Sequence, residues 1–277
     1  MENSLSILLA TYNGERYLAQ QLDSLLEQSY QSFQIFIRDD GSSDNTIAII
    51  KQYCKRFPFK VHLVPDKIKH RGAVGSFFYL LQTIDSDYYM FCDQDDVWLP
   101  DKILVTMKVM RDIESRYSHI PIVIHTDLFV VDQELNILYP SFWKKMKLKV
   151  ELLQKFNYLA TCNCVTGCTM LINKIAKQIS LPYPSDCPMH DFWIALMSAK
   201  YGLVTNVPEP TILYRQHHSN VVGVQNRSVG YFLRILFSFK RTFRSQKRQI
   251  EFVQKIGYGS ALKFLFYKIL YTLRRNI

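Results

Sequence analysis

Along this chain, short apolar runs alternate with longer stretches in which apolar residues return every three or four positions. Ser4 to Ala10 reads as a strand, and after polar Thr11-Tyr12-Asn13-Gly14 the residues Tyr17, Leu18, Leu22, Leu25 and Leu26 fall on one helical face. Phe33 to Arg38 repeats the strand pattern and ends in Asp39-Asp40-Gly41-Ser42-Ser43-Asp44. A helix follows through Ile47, Ile49, Ile50 and Tyr53, with Ser43 or Asp44 as its cap. Lys60 to Val64 is a third strand, Gly72 to Ile84 a helix, and Asp87 to Cys92 a strand that runs into acidic residues. Strands alternating with helices predict an α/β fold built on a parallel sheet. The second half is less regular: Ile122 to Thr126, Leu128 to Val131, Ile137 to Tyr139, Val165 to Ile172 and Thr211 to Tyr214 read as strands, and His190 to Tyr201 as a helix.

Ligands of such sheets gather beyond the carboxyl ends of the strands. Three polar loops occupy that position here: Thr11 to Gly14, Asp39 to Asp44, and Asp93-Gln94-Asp95-Asp96. Carboxylates crowded at a strand end repel one another and favour a shared hard cation, Mg or Mn, which in turn holds phosphates. A solvated acidic turn ahead of the helix at Asp101 is the plain alternative. No Walker loop and no Gly-x-Gly-x-x-Gly is present, so a diphosphate would need the cation. Asp40 suits acceptance from a pyrimidine N–H, with Asn13 or the Thr11 backbone completing a base pocket.

Taken together, Leu8-Leu9-Ala10-Thr11-Tyr12-Asn13-Gly14, Arg38-Asp39-Asp40-Gly41-Ser42-Ser43-Asp44 and Asp93-Gln94-Asp95-Asp96-Val97-Trp98 resemble the inverting family 2 glycosyltransferases over about Ser4 to Gly223. The resemblance implies a GT-A fold, a nucleotide-sugar donor and Mg or Mn at an Asp-x-Asp motif. It places Thr11, Tyr12, Asn13, Asp40, Asp93 and Asp95 at the donor, and Asp95 or Asp96 at the metal; after the strand at Thr211 to Tyr214, Arg215 and His217 are candidates for the diphosphate, with His217 also able to complete the metal shell. It makes Asp191 the base that takes the acceptor proton, since inversion by direct displacement needs one. Gly167 and Cys168, in a stretch implied to lie under the acceptor, join His190 and Trp193 as acceptor-lining residues, with Gly167 admitting a close approach of backbone to ligand. A Gln-x-x-Arg-Trp motif is absent, which favours transfer of a single sugar. Cys92 to Trp98 with His190-Asp191-Phe192-Trp193 is similar to bacterial surface-polysaccharide enzymes, several of which use dTDP-L-rhamnose on saccharide or lipid-linked acceptors.

Charge changes the picture at the C-terminus. Residues 227–277 carry 12 Lys or Arg against Glu251 alone, whereas the 226 residues before them carry 22 against 23. In that tail the cations are interleaved with Phe232, Leu233, Phe237, Leu262, Phe266 and Ile269, a mixture suited to a membrane interface. The expected organisation is therefore a transferase domain over 1–226 (donor half to about 132, acceptor half beyond) and a basic helical tail over 227–277. That tail would either dock on the cytoplasmic face of the membrane or mediate an oligomer. No apolar stretch resembles a signal peptide or a span, so a cytoplasmic, peripheral protein is expected. Six cysteines without zinc spacing read as reduced core residues. A sugar nucleotidyltransferase would want a Gly-rich basic loop after the first strand, and the near-neutral body argues against a nucleic-acid binder.

Overall fold

The alternation of side chains along a strand builds the layers. In β1 (Leu5–Thr11), Leu5, Ile7 and Leu9 face one core and Leu8 faces another. In β4 (Tyr88–Cys92), Tyr88, Met90 and Cys92 turn to the first core, Tyr89 and Phe91 to the second. The first core is closed by α1 (Leu18–Leu26), α2 (Thr46–Arg56) and α4 (Lys102–Arg116). The second is closed by α3 (Gly72–Thr83), α7 (Phe156–Leu159) and α9 (His190–Tyr201). This computed structural model describes residues 4–216 and 246–275.

The nine strands among the described residues form one sheet in the order β3-β2-β1-β4-β8-β6-β9-β5, with β7 (Ile137–Tyr139) paired to β6 (Ile122–Val131). Strands β2 (Gln34–Asp39) and β3 (Val61–Leu63) run parallel to β1, as does β4. Beyond β4, β8 (Leu171–Asn173) is antiparallel to both β4 and β6, and β9 (Leu203–Arg215) runs parallel to β6. β5 (Val97–Trp98) lies antiparallel on β9. The sheet is thus mostly parallel and helix-flanked, as expected for the fold class.

Three strands differ from their sequence reading. The two runs 122–126 and 128–131 are one strand, β6, interrupted by register shifts around Asp127 rather than by a break. Thr211 to Tyr214 is the end of a 13-residue strand, β9, which Pro208 and Pro210 disguise because each removes a ladder N–H. Val165 to Ile172 is mostly not strand: Gly167–Thr169 makes a 3-10 turn and only Leu171–Asn173 enters the sheet.

Short helices α5 (Phe142–Lys145), α6 (Val150–Leu153) and α8 (Lys174–Ile179) fill the acceptor half. The chain ends in helical residues 246–255 (α10) and in α11 (Ala261–Arg275). These two are not detached: Phe252, Val253, Tyr258, Phe264 and Tyr271 are buried in the same core as Trp193 and Leu159. The expected boundary near residue 227, with Phe232, Leu233 and Phe237, lies outside the described residues. Among the described residues no helix is long and apolar enough to cross a membrane.

Candidate active site

The β1 loop is built around Asp39. Its Oδ1 accepts from Thr11 Oγ1 at 3.0 Å, and its Oδ2 accepts from the Gly41 and Ser42 amides at 3.0 and 2.8 Å. Asn13, held at φ 48°, accepts from the Ser43 amide through Oδ1 and donates its own amide to Ser42 Oγ. Asp44 receives the Thr46 amide, satisfying one of the donors at the start of α2. The polar side chains of Thr11 and Asn13 therefore tie two loops together, while both residues line the cavity that those loops enclose.

That cavity has a volume of about 830 Å³ and opens beyond the carboxyl ends of β1, β2 and β4. Thr11, Tyr12, Asn13 and Asp40 line one side, Asp93 and Asp95 another, and Gly167, His190 and Asp191 a third. Asp40 is oriented by donors on three sides: Arg38 Nη1 at 2.7 Å and the amides of Arg71 and Gly72, each at 2.8 Å. Arg38 is fully buried and also binds Asp66 Oδ2 at 2.9 Å and Ser76 Oγ at 2.6 Å. The Arg38 and Arg71 guanidiniums hold the Asp66 carboxyl far below the usual carboxylate range.

At the acidic loop, burial raises the Asp93 carboxyl to about 7, with Asp95 and then Asp191 adding repulsion. Asp96 is pushed up further, by burial first and then by Asp95 and Asp93. Asp191 stands in the first turn of α9, its Oδ2 accepting the Gly167 amide at 3.1 Å and its Oδ1 the Phe192 amide. Burial raises its carboxyl to about 6, the two amides working against the shift. A carboxylate that titrates near neutrality inside a cleft is suited to proton transfer. His190 is buried with its ring against Phe77 and Phe91, centroids 4.2 and 5.1 Å away, and neither ring nitrogen has a hydrogen-bond partner. Burial lowers its imidazolium to about 3, so the ring is neutral and is no base at ordinary pH in the sense Asp191 is.

Three sequence-predicted positions lie elsewhere. Trp193 is in the core, its indole N–H donated to the Ser180 carbonyl at 2.9 Å and its ring edge-on to Phe252; helical spacing turns it away from the face that carries Asp191. Cys168 is buried beneath the cleft against Asp93 and Asp96 rather than facing an acceptor. Arg215 is buried and does not line the cavity: Nε donates to the Asp95 carbonyl at 2.9 Å, one Nη to Gln20 Oε1 at 2.6 Å and the other to the Gln133 carbonyl. It clamps the acidic loop from behind, with the guanidinium 4.4 Å from the Tyr17 ring. Asp96 is fully buried behind the cavity wall, Oδ1 accepting the Arg215 amide at 3.2 Å and Oδ2 without a hydrogen-bond partner; ligand atoms of Asp96, Asp93 and Cys168 lie within 4.8 Å of one another, a group that could hold an ion. His217 lies outside the described residues. The free space over Gly167 is not kept for a ligand: a Cβ there would stand 2.7 Å from His190 Nε2 and 3.7 Å from the Asp191 Cβ.

Gln94, to which the sequence reading gave no role, is a structural part of the site. Its amide accepts from the Tyr12 N–H at 2.9 Å and donates to the Tyr12 carbonyl at 3.0 Å, joining the β1 and β4 loops. The first turn of α3, with Gly72, Ala73 and Ser76, also lines the cavity. The acid-x-acid pattern hides Gln94, and the role of Gly72 depends on a contact 32 residues from Asp40; neither has a local sequence signal.

The cavity beyond the strand ends thus carries an acidic loop on one side and the Asp191 carboxyl on another. The model of Glycosyl transferase family 2 matches residues 6–180, and the chain belongs to that family and is a glycosyltransferase. It is similar to the dTDP-rhamnosyl transferase RfbG of Shigella flexneri, 28% identical over 253 residues that cover 87% of this chain and 83% of the relative. The amylovoran biosynthesis glycosyltransferase AmsB of Erwinia amylovora is 30% identical over 148 residues, 53% of this chain and 46% of that one. Among solved structures, the mannosyltransferase PcManGT of Pyrobaculum calidifontis, in complex with GDP-Man and Mn2+, matches with a TM-score of 0.61 at 15% identity, covering 99% of this chain and 70% of that one. S. aureus TarS 1–349 in complex with UDP-GlcNAc matches at a TM-score of 0.57 and 15% identity, covering 90% and 71%. These two likenesses establish the GT-A fold.

Proposed function

We propose that the protein transfers one sugar, with inversion, from a nucleotide-diphosphate sugar to a saccharide or lipid-linked saccharide acceptor in the synthesis of a cell-surface polysaccharide. The observation that carries the proposal is the opposition, across one cavity, of the Asp93–Asp95 pair and Asp191, a carboxyl near neutrality. The resemblance to RfbG supports dTDP-L-rhamnose as the donor.

In this reading the base lies along Tyr12, whose ring is half exposed at the cavity rim, with Asp40 accepting a base N–H and the Thr11 and Asn13 backbones beside it. The residues fit a divalent cation: Asp93 and Asp95 reach the cavity, and burial first, then repulsion from Asp95, raises Asp93, a cost that a shared cation offsets. Asp93 and Asp95 would hold Mg or Mn, and Asp96 would support them from below. Such an ion supplies charge neutralisation at the departing diphosphate. Asp191, ionised above pH of about 6, takes the acceptor hydroxyl proton as the new bond forms. The Gly167 amide fixes the orientation of that carboxylate, and the neutral His190 ring lines the acceptor side next to it. The cytoplasmic setting belongs to the same proposal.

Thermal-shift titration with dTDP-rhamnose, UDP-GlcNAc, GDP-mannose and the free diphosphates, each with and without Mn2+, tests the donor assignment. One donor should raise the melting temperature in a Mn2+-dependent manner, since a ligand held only by the folded state stabilises it. Absence of a shift with every nucleotide would refute the pocket assignment, and a product retaining the donor's anomeric configuration would refute inversion.

A further inference from the structure

Helix α11 has its amphipathic pattern inside out. Phe264 and Tyr271 are buried against the body, yet the solvent face carries Leu262, Leu265, Phe266, Ile269 and Leu273, with exposures from 40% for Leu265 to 78% for Leu262. At 100° per residue these five lie within about a quarter of the helix circumference, a continuous apolar ridge along its length. Three of the four cations of the helix, Lys263, Arg274 and Arg275, are turned towards neutral oxygens of the body, and Lys268 lies 5.5 Å over the Phe264 ring. Lys263 Nζ donates to the Tyr258 carbonyl at 3.1 Å, Arg274 to the Tyr158 hydroxyl at 3.1 Å, and Arg275 to the Met146 carbonyl. None of these partners is an acid, so the charges are held in place without being cancelled. No Asp or Glu occurs from Ala261 to Arg275, and exposed Lys147 and Lys149 adjoin the same end, where the Lys149 amide donates to Tyr271 Oη at 3.3 Å.

We infer that the outward face of α11 is an interfacial docking surface for an anionic lipid bilayer, with Leu262, Phe266, Ile269 and Leu273 entering the headgroup boundary and the uncancelled positive charge of the helix drawing it to a phosphate-bearing surface. Charge complementarity selects this occupant. A second copy placed ridge to ridge would bring two sets of uncancelled Lys and Arg together, whereas a phosphate-bearing surface matches apolar ridge and cationic flank at once. The helix is 15 residues long and too short to span, so it lies in the plane of the interface. The inference stands on this helix alone and does not rest on the transfer reading.

The test is co-sedimentation of the full chain with vesicles of phosphatidylcholine, and of phosphatidylcholine and phosphatidylglycerol in equal parts. The wild type should partition onto the mixed vesicles and weakly onto the neutral ones. The triple variant Phe266→Ser, Ile269→Ser, Leu273→Ser should lose partitioning by roughly tenfold or more, with melting temperature and donor-induced thermal shift unchanged. Should the triple variant lose its folded baseline, Ile269→Ser alone repeats the measurement. Equal partitioning of variant and wild type overturns the inference. So does a wild type that ignores both vesicles but sediments as a dimer which the triple variant dissociates; the ridge then seats a second copy.

Discussion

Replacing Asp191 by Asn should separate catalysis from stability. In the native protein the carboxyl titrates at about 6 against a reference of 3.8. The folded state therefore binds a proton that the unfolded chain has already released, over the interval from about pH 4 to 6. A raised carboxylate pKa means that stability is lost as pH climbs through that window, and the ionised side chain costs about 3 kcal/mol above it, an order-of-magnitude value at ~1.4 kcal/mol per pH unit. Asn does not titrate. It keeps an oxygen for the Gly167 or the Phe192 amide but not both, a loss of about 1 kcal/mol or more at every pH. Between pH 4.5 and 7.5, then, the variant should gain on the wild type by about 2 kcal/mol, or roughly 4–8 °C in melting temperature for a chain of this size. Over the same range its transfer rate should be lower by about 10² to 10⁴, with the donor-induced thermal shift retained. Paired melting curves across pH and a radiolabelled-sugar transfer assay make both measurements. A stability difference that is flat with pH would show that Asp191 is not desolvated. Transfer within a few-fold of wild type would place the base elsewhere.

Other substitutions probe the remaining parts of the site. Asp95→Ala should abolish Mn2+-dependent turnover while the melting temperature stays near that of the wild type, and undiminished turnover would remove the metal assignment. Arg38→Ala leaves Asp40 buried without its cation and Asp66 with Arg71 alone, and should cost about 3 kcal/mol in a urea denaturation experiment; a loss under 1 kcal/mol would mean that the network is not desolvated as its burial implies. Gly167→Ala inserts a methyl 2.7 Å from His190 Nε2, a ring already held against Phe77 and Phe91. It should lower kcat more than it raises the donor KM, because the strain falls on the acceptor side; a pure donor KM effect would contradict that placement. The pH profile of wild-type kcat should rise through about 6 and level off above it as Asp191 ionises.

Much of the first half was legible in the sequence because its elements are locally encoded. Leu5, Ile7 and Leu9 alternate, Leu18, Leu22 and Leu25 repeat at helical spacing, and each strand ends in polar residues that the parallel arrangement brings to one edge. Asp40, Asp93, Asp95, Gly167 and Asp191 accordingly meet at one cavity. What was not legible depends on distant partners. Arg215 resembles a phosphate ligand in sequence, but its guanidinium is taken by oxygens of residues 20, 95 and 133. Trp193 follows Asp191 by two positions, and a helix turns that offset away from the cleft and into the core. The apolar ridge of α11 gave no local sign of which face would be covered, since both faces carry large apolar residues.

The Gln94 side chain does more than join two loops. It occupies the place where a Cβ on Gly14 would stand, with Oε1 only 2.3 Å from that point, while the same oxygen holds the Tyr12 amide. Positions 14 and 94, eighty residues apart, thus form a lock and its key slot: enlarging one ejects the other and frees Tyr12. A redesign of the donor pocket has to treat residues 12, 14 and 94 as one interdependent unit, and none of the three is a neutral place to begin.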